Sequence, residues 1–425
     1  MDKRIAELAA FIKDAPTAFH AVEKISSILR ENGFEELEEK EKWHVEPGKD
    51  YYVTRNHSSI IAFKAGEELS DYSFRVTASH SDSPTFKLKE NAELEIKKKY
   101  TVLNTEGYGG MICSSWFDRP LSVAGRVIVK TDKGMETRLV KVDRDLLMIP
   151  SLAIHMDRTV NDGHAFNKQK DMLPLLSGKV KDPGAVKRLA AGELGVPAEN
   201  ICGMDLFLYN RMEPSVWGYD NEFFSCPQLD DLQCAYASLT GFLEGKSRKN
   251  VNVYACFDNE EVGSGTKQGA GSTFLFDALW RINRALGKDE EEFFRAVAKS
   301  FMLSCDNAHA VHPNYKEKTD ETNCVYMNEG IVVKSHAGQK YTSDALSIAL
   351  FREVCEKAEV PVQFFANRSD AVGGSTLGNI AMSQVSMNAV DIGLPQLAMH
   401  SAYETCGVKD TEYLIKASEF FYSCE

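Results

Sequence analysis

From residue 227 to the C-terminus the chain alternates helical and strand patterns, and an alternation of that kind closes into few architectures. Helix-type spacing begins near 229, 273, 290, 343 and 379, and short apolar runs begin near 251, 301, 361 and 388. The expected fold class is α/β, a mostly parallel sheet covered by helices. Residues 1–85 offer two helices, Ile5 to Lys13 and Phe19 to Asn32 stopped by Gly33, then strands at Tyr51–Arg55, Ser58–Lys64 and Phe74–Ser79. Between these parts, over 86–226, the pattern changes to short β runs such as Leu121–Lys130 and Thr137–Val142, joined by Asp132, Lys133 and Gly134. The only convincing helix there is Gly184 to Ala191.

Chemistry enters at the strand ends. Glu260 and Glu261 follow the run Val251–Phe257 and lead into the turn-forming Val262, Gly263, Ser264 and Gly265. Loops leaving the carboxyl ends of strands are where open α/β sheets place ligands. One of two neighbouring carboxylates can hold a metal while the other takes a proton from water. An isolated pair of glutamates is more often a solvated loop. Here other acids and histidines share the setting: His80 and Asp82 follow Phe74–Ser79, Asp306 follows Phe301–Cys305, and His400 follows the apolar stretch Val390–Met399. Asp230 and Asp231 open a helix whose Leu229, Leu232, Tyr236, Leu239 and Leu243 share one face.

Imidazole and carboxylate together favour zinc, cobalt or manganese over calcium or magnesium, which prefer oxygen alone. A two-metal site needs a bridging carboxylate and about two further protein ligands per ion. His80, Asp230, Glu261, Asp306 and His400 supply that set, and Asp82 is placed to accept the other N–H of His80. Because His80 precedes the β-rich block and the other proposed ligands follow it, residues 86–226 must be an insertion. The catalytic domain is then discontinuous, 1–85 with 227–425.

Composition excludes several classes. With 43% hydrophobic and 26% charged residues the chain is globular, and a formal charge of −13 opposes binding to nucleic acid or an anionic membrane. No segment has the core of a signal peptide or the length to span a bilayer. The cysteines lack CxxC spacing, and Cys256 and Cys305 lie in core-like strands. A cytoplasmic enzyme is expected.

The segments ASHSDSPTFKLK (78–89), SSWFDRPLSVAGRV (114–127), IPSLAIHMDR (149–158), QLDDLQ (228–233), DNEEVGSGTKQGA (258–270), DNAHAVHPN (306–314) and PQLAMHS (395–401) together resemble the M18 metallo-aminopeptidases, which include aspartyl aminopeptidase. The resemblance implies an enzyme that removes the N-terminal residue of peptides by means of two divalent ions, most often zinc, and a metal-activated bridging water. Asp230 would bridge the ions, His80 and Asp306 would complete one site, and Glu261 and His400 the other. Glu260 would be the general base, and Asp82 the partner orienting His80. Where the family commonly has Leu-Asp-Asn, this chain has Leu229, Asp230 and Asp231, and related enzymes often hold the peptide bond after the bridging acid in cis. The resemblance also makes the insertion a β-rich dimerisation domain of a tetrahedral dodecamer.

Three further residues come from the same comparison. His155, whose apolar flanks alone read equally well as those of a buried, hydrogen-bonded histidine, would reach the partner subunit's active site and hold the developing oxyanion. Lys334, in IVVKSHAGQKYT, would select an acidic first side chain, with Tyr341 lining the same pocket. The family's RNDxPxGxTxG loop has lost its proline to Val372, so a preference for neutral first residues is the alternative within the family. A related di-zinc amide deacylase is the alternative outside it. His309 and His312, close to Asp306, read as ordinary histidines.

Overall fold

A computed structural model describes residues 3–424. The chain divides into two compact units, one of residues 1–82, 214–399 and 404–425, the other of residues 83–213 and 400–403.

The first unit is built on a nine-stranded sheet in the order Glu35–Glu36, Asp50–Arg55, Ser59–Ala65, Val251–Phe257, Phe74–His80, Phe301–Cys305, Asn388–Gly393, Ile331–Lys334 and Val362–Phe365. Its central neighbours, from Val251–Phe257 to Asn388–Gly393, run parallel to one another. Helices cover both faces, so the central strands are apolar at nearly every position. In Val251–Phe257, Tyr254 and Cys256 enter the core under helices Lys3–Asp14, Ala18–Glu31, Leu229–Glu244 and Asp410–Ser423. Val251, Val253, Ala255 and Phe257 enter the opposite core, under Phe274–Ala285, Glu290–Lys299 and Leu377–Ala381. Burying such a side chain stabilises by about 1.5–3 kcal/mol, and strands placed this way gain from both faces.

The apolar stretch Val390–Met399 is not one strand. Asn388–Gly393 belongs to the large sheet, whereas Pro395–Leu397 joins a separate five-stranded sheet with Ala308–His309, Ser215–Trp217, Phe223–Cys226 and Glu404–Gly407. Gly393 sits at the break, where a Cβ would lie 1.8 Å from the Asp306 carbonyl oxygen, so only hydrogen fits. That close approach is what lets the Asp306 N–H donate to the Ile392 carbonyl at 3.0 Å.

The second unit carries a six-stranded antiparallel sheet in the order Gly134–Lys141, Leu121–Thr131, Ile201–Asn210, Thr85–Ile96, Tyr100–Tyr108 and Leu175–Ser177. Val186, Ala190 and Ala191 of helix Ala185–Leu194 pack into its core beside Leu206, Leu208 and Ile201.

Candidate metal centre

Three adjacent parallel strands end at the same edge of the large sheet, and each delivers a polar group there. Phe74–His80 ends on His80, Phe301–Cys305 is followed by Asp306, and Val251–Phe257 leads through Asp258 and Asn259 to Glu260 and Glu261. Asp230 and Asp231 arrive from the opposite chain direction, at the start of Leu229–Glu244. They are not helical: Asp230 has φ −81° and ψ 108°, Asp231 has φ −118° and ψ 20°, and the peptide bond between them is cis. The Asp230 N–H donates to Glu404 Oε2 at 3.0 Å, and Asp231 Oδ2 accepts the His80 backbone N–H at 3.1 Å.

Potential ligand atoms of His80, Asp230, Asp231 and Asp306 all lie within 4.8 Å of one another, as do those of His80, Glu260 and Glu261. His80 is 1% exposed, and its Nε2 lies 3.4 Å from Asp230 Oδ1. Burial alone would lower the His80 pKa, but the carboxylates of Asp231, Asp230 and Asp82 hold it well above the ordinary imidazole value. Burial lifts Asp231 well above the usual carboxylate range, with Asp306 and Asp230 adding to the rise against His80. It also raises Asp306, against the pull of the Lys334 ammonium. Glu260 is pushed up to about 8, chiefly by burial.

Such a set is short of positive charge. Asp231 Oδ1 is buried with no hydrogen-bond partner, which is costly unless something else meets it. Buried imidazole and carboxylate donors converging on one point fit a divalent ion of the zinc type, so the residues present suit the metal that the donor chemistry implies.

Asp82 meets His80 through its backbone as well as its side chain. His80 Nδ1 donates to the Asp82 backbone carbonyl at 2.9 Å, while the nearer carboxylate oxygen is 3.5 Å away. The carboxylate also accepts the N–H groups of Glu260 and Glu261, at 3.1 and 3.2 Å. One residue thus fixes the imidazole tautomer through its backbone and aims both glutamates through its side chain. The turn it holds is tight, with Asn259 at φ +63°.

Lys334 is buried beside Tyr341. It is 2% exposed, and its ammonium donates to the carbonyl of Asp306 at 2.8 Å and of Asn307 at 3.4 Å, 5.4 Å from the Tyr341 ring centroid. Both contacts fall on the segment that carries Asp306. His155 and His400 belong to the second unit. His400 has φ +66°, and its Nδ1 donates to the Gly110 carbonyl at 3.0 Å, which leaves the ring's lone pair on Nε2, the nitrogen a metal ligand would use. His155 is exposed rather than buried, in a surface turn closed by the Met156 N–H donating to the Ala153 carbonyl at 2.8 Å, and its neighbours Leu152 and Met156 are 62% and 76% exposed.

Sequence reasoning missed Glu404, and it left Asp231 without a duty. Glu404 lies in a four-residue strand with no apolar run to announce it; its one signal is an acid four residues after His400.

Comparison with known proteins gives a consistent answer. The family profile described as aminopeptidase I zinc metalloprotease (M18) matches residues 11–422. The chain is 48% identical over 423 residues to a probable M18 family aminopeptidase 2 of Clostridium novyi, covering 98% of each. It is 35% identical to a probable aspartyl aminopeptidase of Ricinus communis, covering 98% of this chain and 94% of that one. Among solved structures, the S. cerevisiae mApe1 dodecamer superposes with a TM-score of 0.86 at 25% identity, covering 99% of this chain and 96% of that one.

Proposed function

The chain belongs to the M18 family of zinc metalloproteases, and from that premise we propose that it removes the N-terminal residue of peptides with two divalent ions, a glutamate base and a second subunit at each active site. Metal-dependent hydrolysis at peptide N-termini follows from the family. The observation that carries it is the convergence of His80, Asp230, Asp231, Asp306, Glu260 and Glu261 at one sheet edge.

His80, Asp306 and the shared Asp230 would hold one ion, and Asp230, Glu261 and His400 the other, with zinc favoured and cobalt or manganese able to replace it. Bound there, the ions supply Lewis acidity to the scissile carbonyl and to water. Glu260, held beside Glu261 by the Asp82 carboxylate, takes the proton of the attacking water and passes it to the leaving amine. Its pKa of about 8 before any cation is bound reflects burial among acids, and a cation nearby lowers it toward the range of a working base. The peptidase and deacylase readings part on substrate: a free N-terminal residue should be released from peptides, and no acyl group from N-acylated amino acids. Acyl release alone would replace the proposal by the deacylase.

Oligomerisation into dimers and a dodecamer is supported by the dodecameric relative and by the exposed apolar flanks of His155. A donor that His155 places on the partner's oxyanion would contribute about 3–4 kcal/mol to the barrier. Mixing His155→Ala with Glu260→Gln subunits should therefore restore activity that each variant alone lacks, because one site in the mixed dimer keeps both groups. No recovery in verified mixed oligomers would make His155 structural.

A preference for acidic first residues is supported by the aspartyl aminopeptidase relative. Wild type should cleave Asp and Glu substrates faster than Leu or Lys, and Lys334→Ala should lower the Asp to Leu ratio. An unchanged ratio would confine Lys334 to holding Asp306, and leucine cleaved best by wild type would favour the neutral-residue alternative. A cytoplasmic location suits the cysteines, none of which forms a disulfide among the described residues.

A further inference from the structure

Beyond the metal centre the first unit contains a cavity of about 290 Å³ that the mechanism does not use. It is lined by His309 and Ala310, which follow Asp306 closely in sequence, and by Met399, directly before His400. Its volume suits a small-molecule site and exceeds what one acidic side chain needs.

The chemistry of the wall is specific. Gln396 is 1% exposed, and neither its Oε1 nor its Nε2 has a hydrogen-bond partner. It pairs in register with His309 on the adjacent parallel strand, so the two side chains share a face, and both residues line the cavity. The Nδ2 of Asn367 is likewise buried and lacks a partner. A buried amide with its donor and acceptor both unmet is costly to keep and suits a ligand that offers the complementary groups, as a peptide unit does. No lining residue is acidic, although the chain carries a net charge of −13. His312, Lys318 and Arg368 complete the rim. Arg368 is answered by Asp370 at 2.8 Å, whereas Lys318 acts on the same carboxylate only at longer range and makes no direct ion pair among the described residues.

We propose that this cavity holds the part of the peptide that follows the cleaved bond and selects a carboxylate there, an inference that rests on the aminopeptidase reading. Gln396 would meet a backbone peptide unit, and Lys318 would attract the carboxylate, which comes either from an acidic second side chain or from the free C-terminus of a short peptide.

The test compares three tripeptides whose first residue is the one wild type releases fastest: a neutral C-terminal amide, the same amide with aspartate second, and the neutral peptide with a free C-terminal carboxylate. For at least one carboxylate peptide, wild-type kcat/KM should exceed that for the neutral amide tenfold or more, chiefly through KM, and the arm that gains names the source. Lys318→Glu and Gln396→Leu should each remove most of the gain. Lys318 lies at the exposed rim, so its variant carries the test if the buried Gln396→Leu does not fold. The subsite is overturned if wild type cleaves the neutral amide yet gains nothing from either carboxylate, if the gain survives both substitutions, or if Lys318→Glu alters only the preference for the first residue. Wild type that releases no N-terminal residue from any of the three would instead overturn the aminopeptidase reading beneath it.

Discussion

Glu260→Gln should lower turnover by about 10²–10⁴ while leaving bound metal and KM nearly unchanged. The amide keeps the size of the side chain and the backbone N–H that Asp82 accepts, so the turn stays in place. What it loses is the ability to take a proton. Glu261→Gln should do the opposite in kind: its neighbouring N–H is equally held, but exchanging a carboxylate for a neutral amide should weaken metal binding, with activity partly recovered by added metal. Metal content by elemental analysis beside kcat for both variants checks the division. Metal loss in Glu260→Gln with full occupancy in Glu261→Gln would reverse the two roles.

The two adjacent acids themselves were visible in the sequence, at the end of an apolar run. The fold gave similar signals wherever strands are buried on both faces. Phe74–His80, Val251–Phe257, Phe301–Cys305 and Asn388–Gly393 all lie where apolar runs predict them, because helices on each side demand apolar residues at odd and even positions alike. Legibility fell where that demand is absent. Thr85–Ile96 carries lysines and glutamates through most of its length and includes an irregularity between Leu88 and Glu93, so no apolar alternation announces its twelve residues. Helix Asp410–Ser423 buries Asp410, Thr411 and Ser418 beside its apolar residues, which blurs the stripe by which a helix is recognised.

The site divides in the same way. Residue types were legible because metal chemistry restricts them to imidazole and carboxylate. The atoms that position them were not, since hydrogen bonds to backbone leave no pattern in a sequence. Asp82 was found for its neighbourhood to His80, yet its carboxylate serves the glutamates 178 and 179 positions away. Lys334 came from the family resemblance alone, and its contact with the Asp306 carbonyl has no sequence signal. Gly393 carries no side chain to notice, and its value is the absence of one beside Asp306.

The second large effect follows from the buried carboxylates. With Asp230, Asp231 and Asp306 packed around His80, and Asp231 Oδ1 lacking any hydrogen-bond partner, the centre depends on cations for its charge balance and its Lewis acidity. Removing the metal should abolish peptide hydrolysis and lower the melting temperature, since ions that bind only the folded state stabilise it by mass action. Substituting His80 or Asp306 should prevent recovery.

The most direct measurement is therefore release of the N-terminal residue from a peptide before chelation, after exhaustive dialysis against a chelator, and after stepwise return of zinc, cobalt or manganese with metal content measured alongside. Activity should vanish on chelation and return as metal is restored, reaching its plateau near two ions per subunit. Undiminished hydrolysis by metal-free protein would contradict the account.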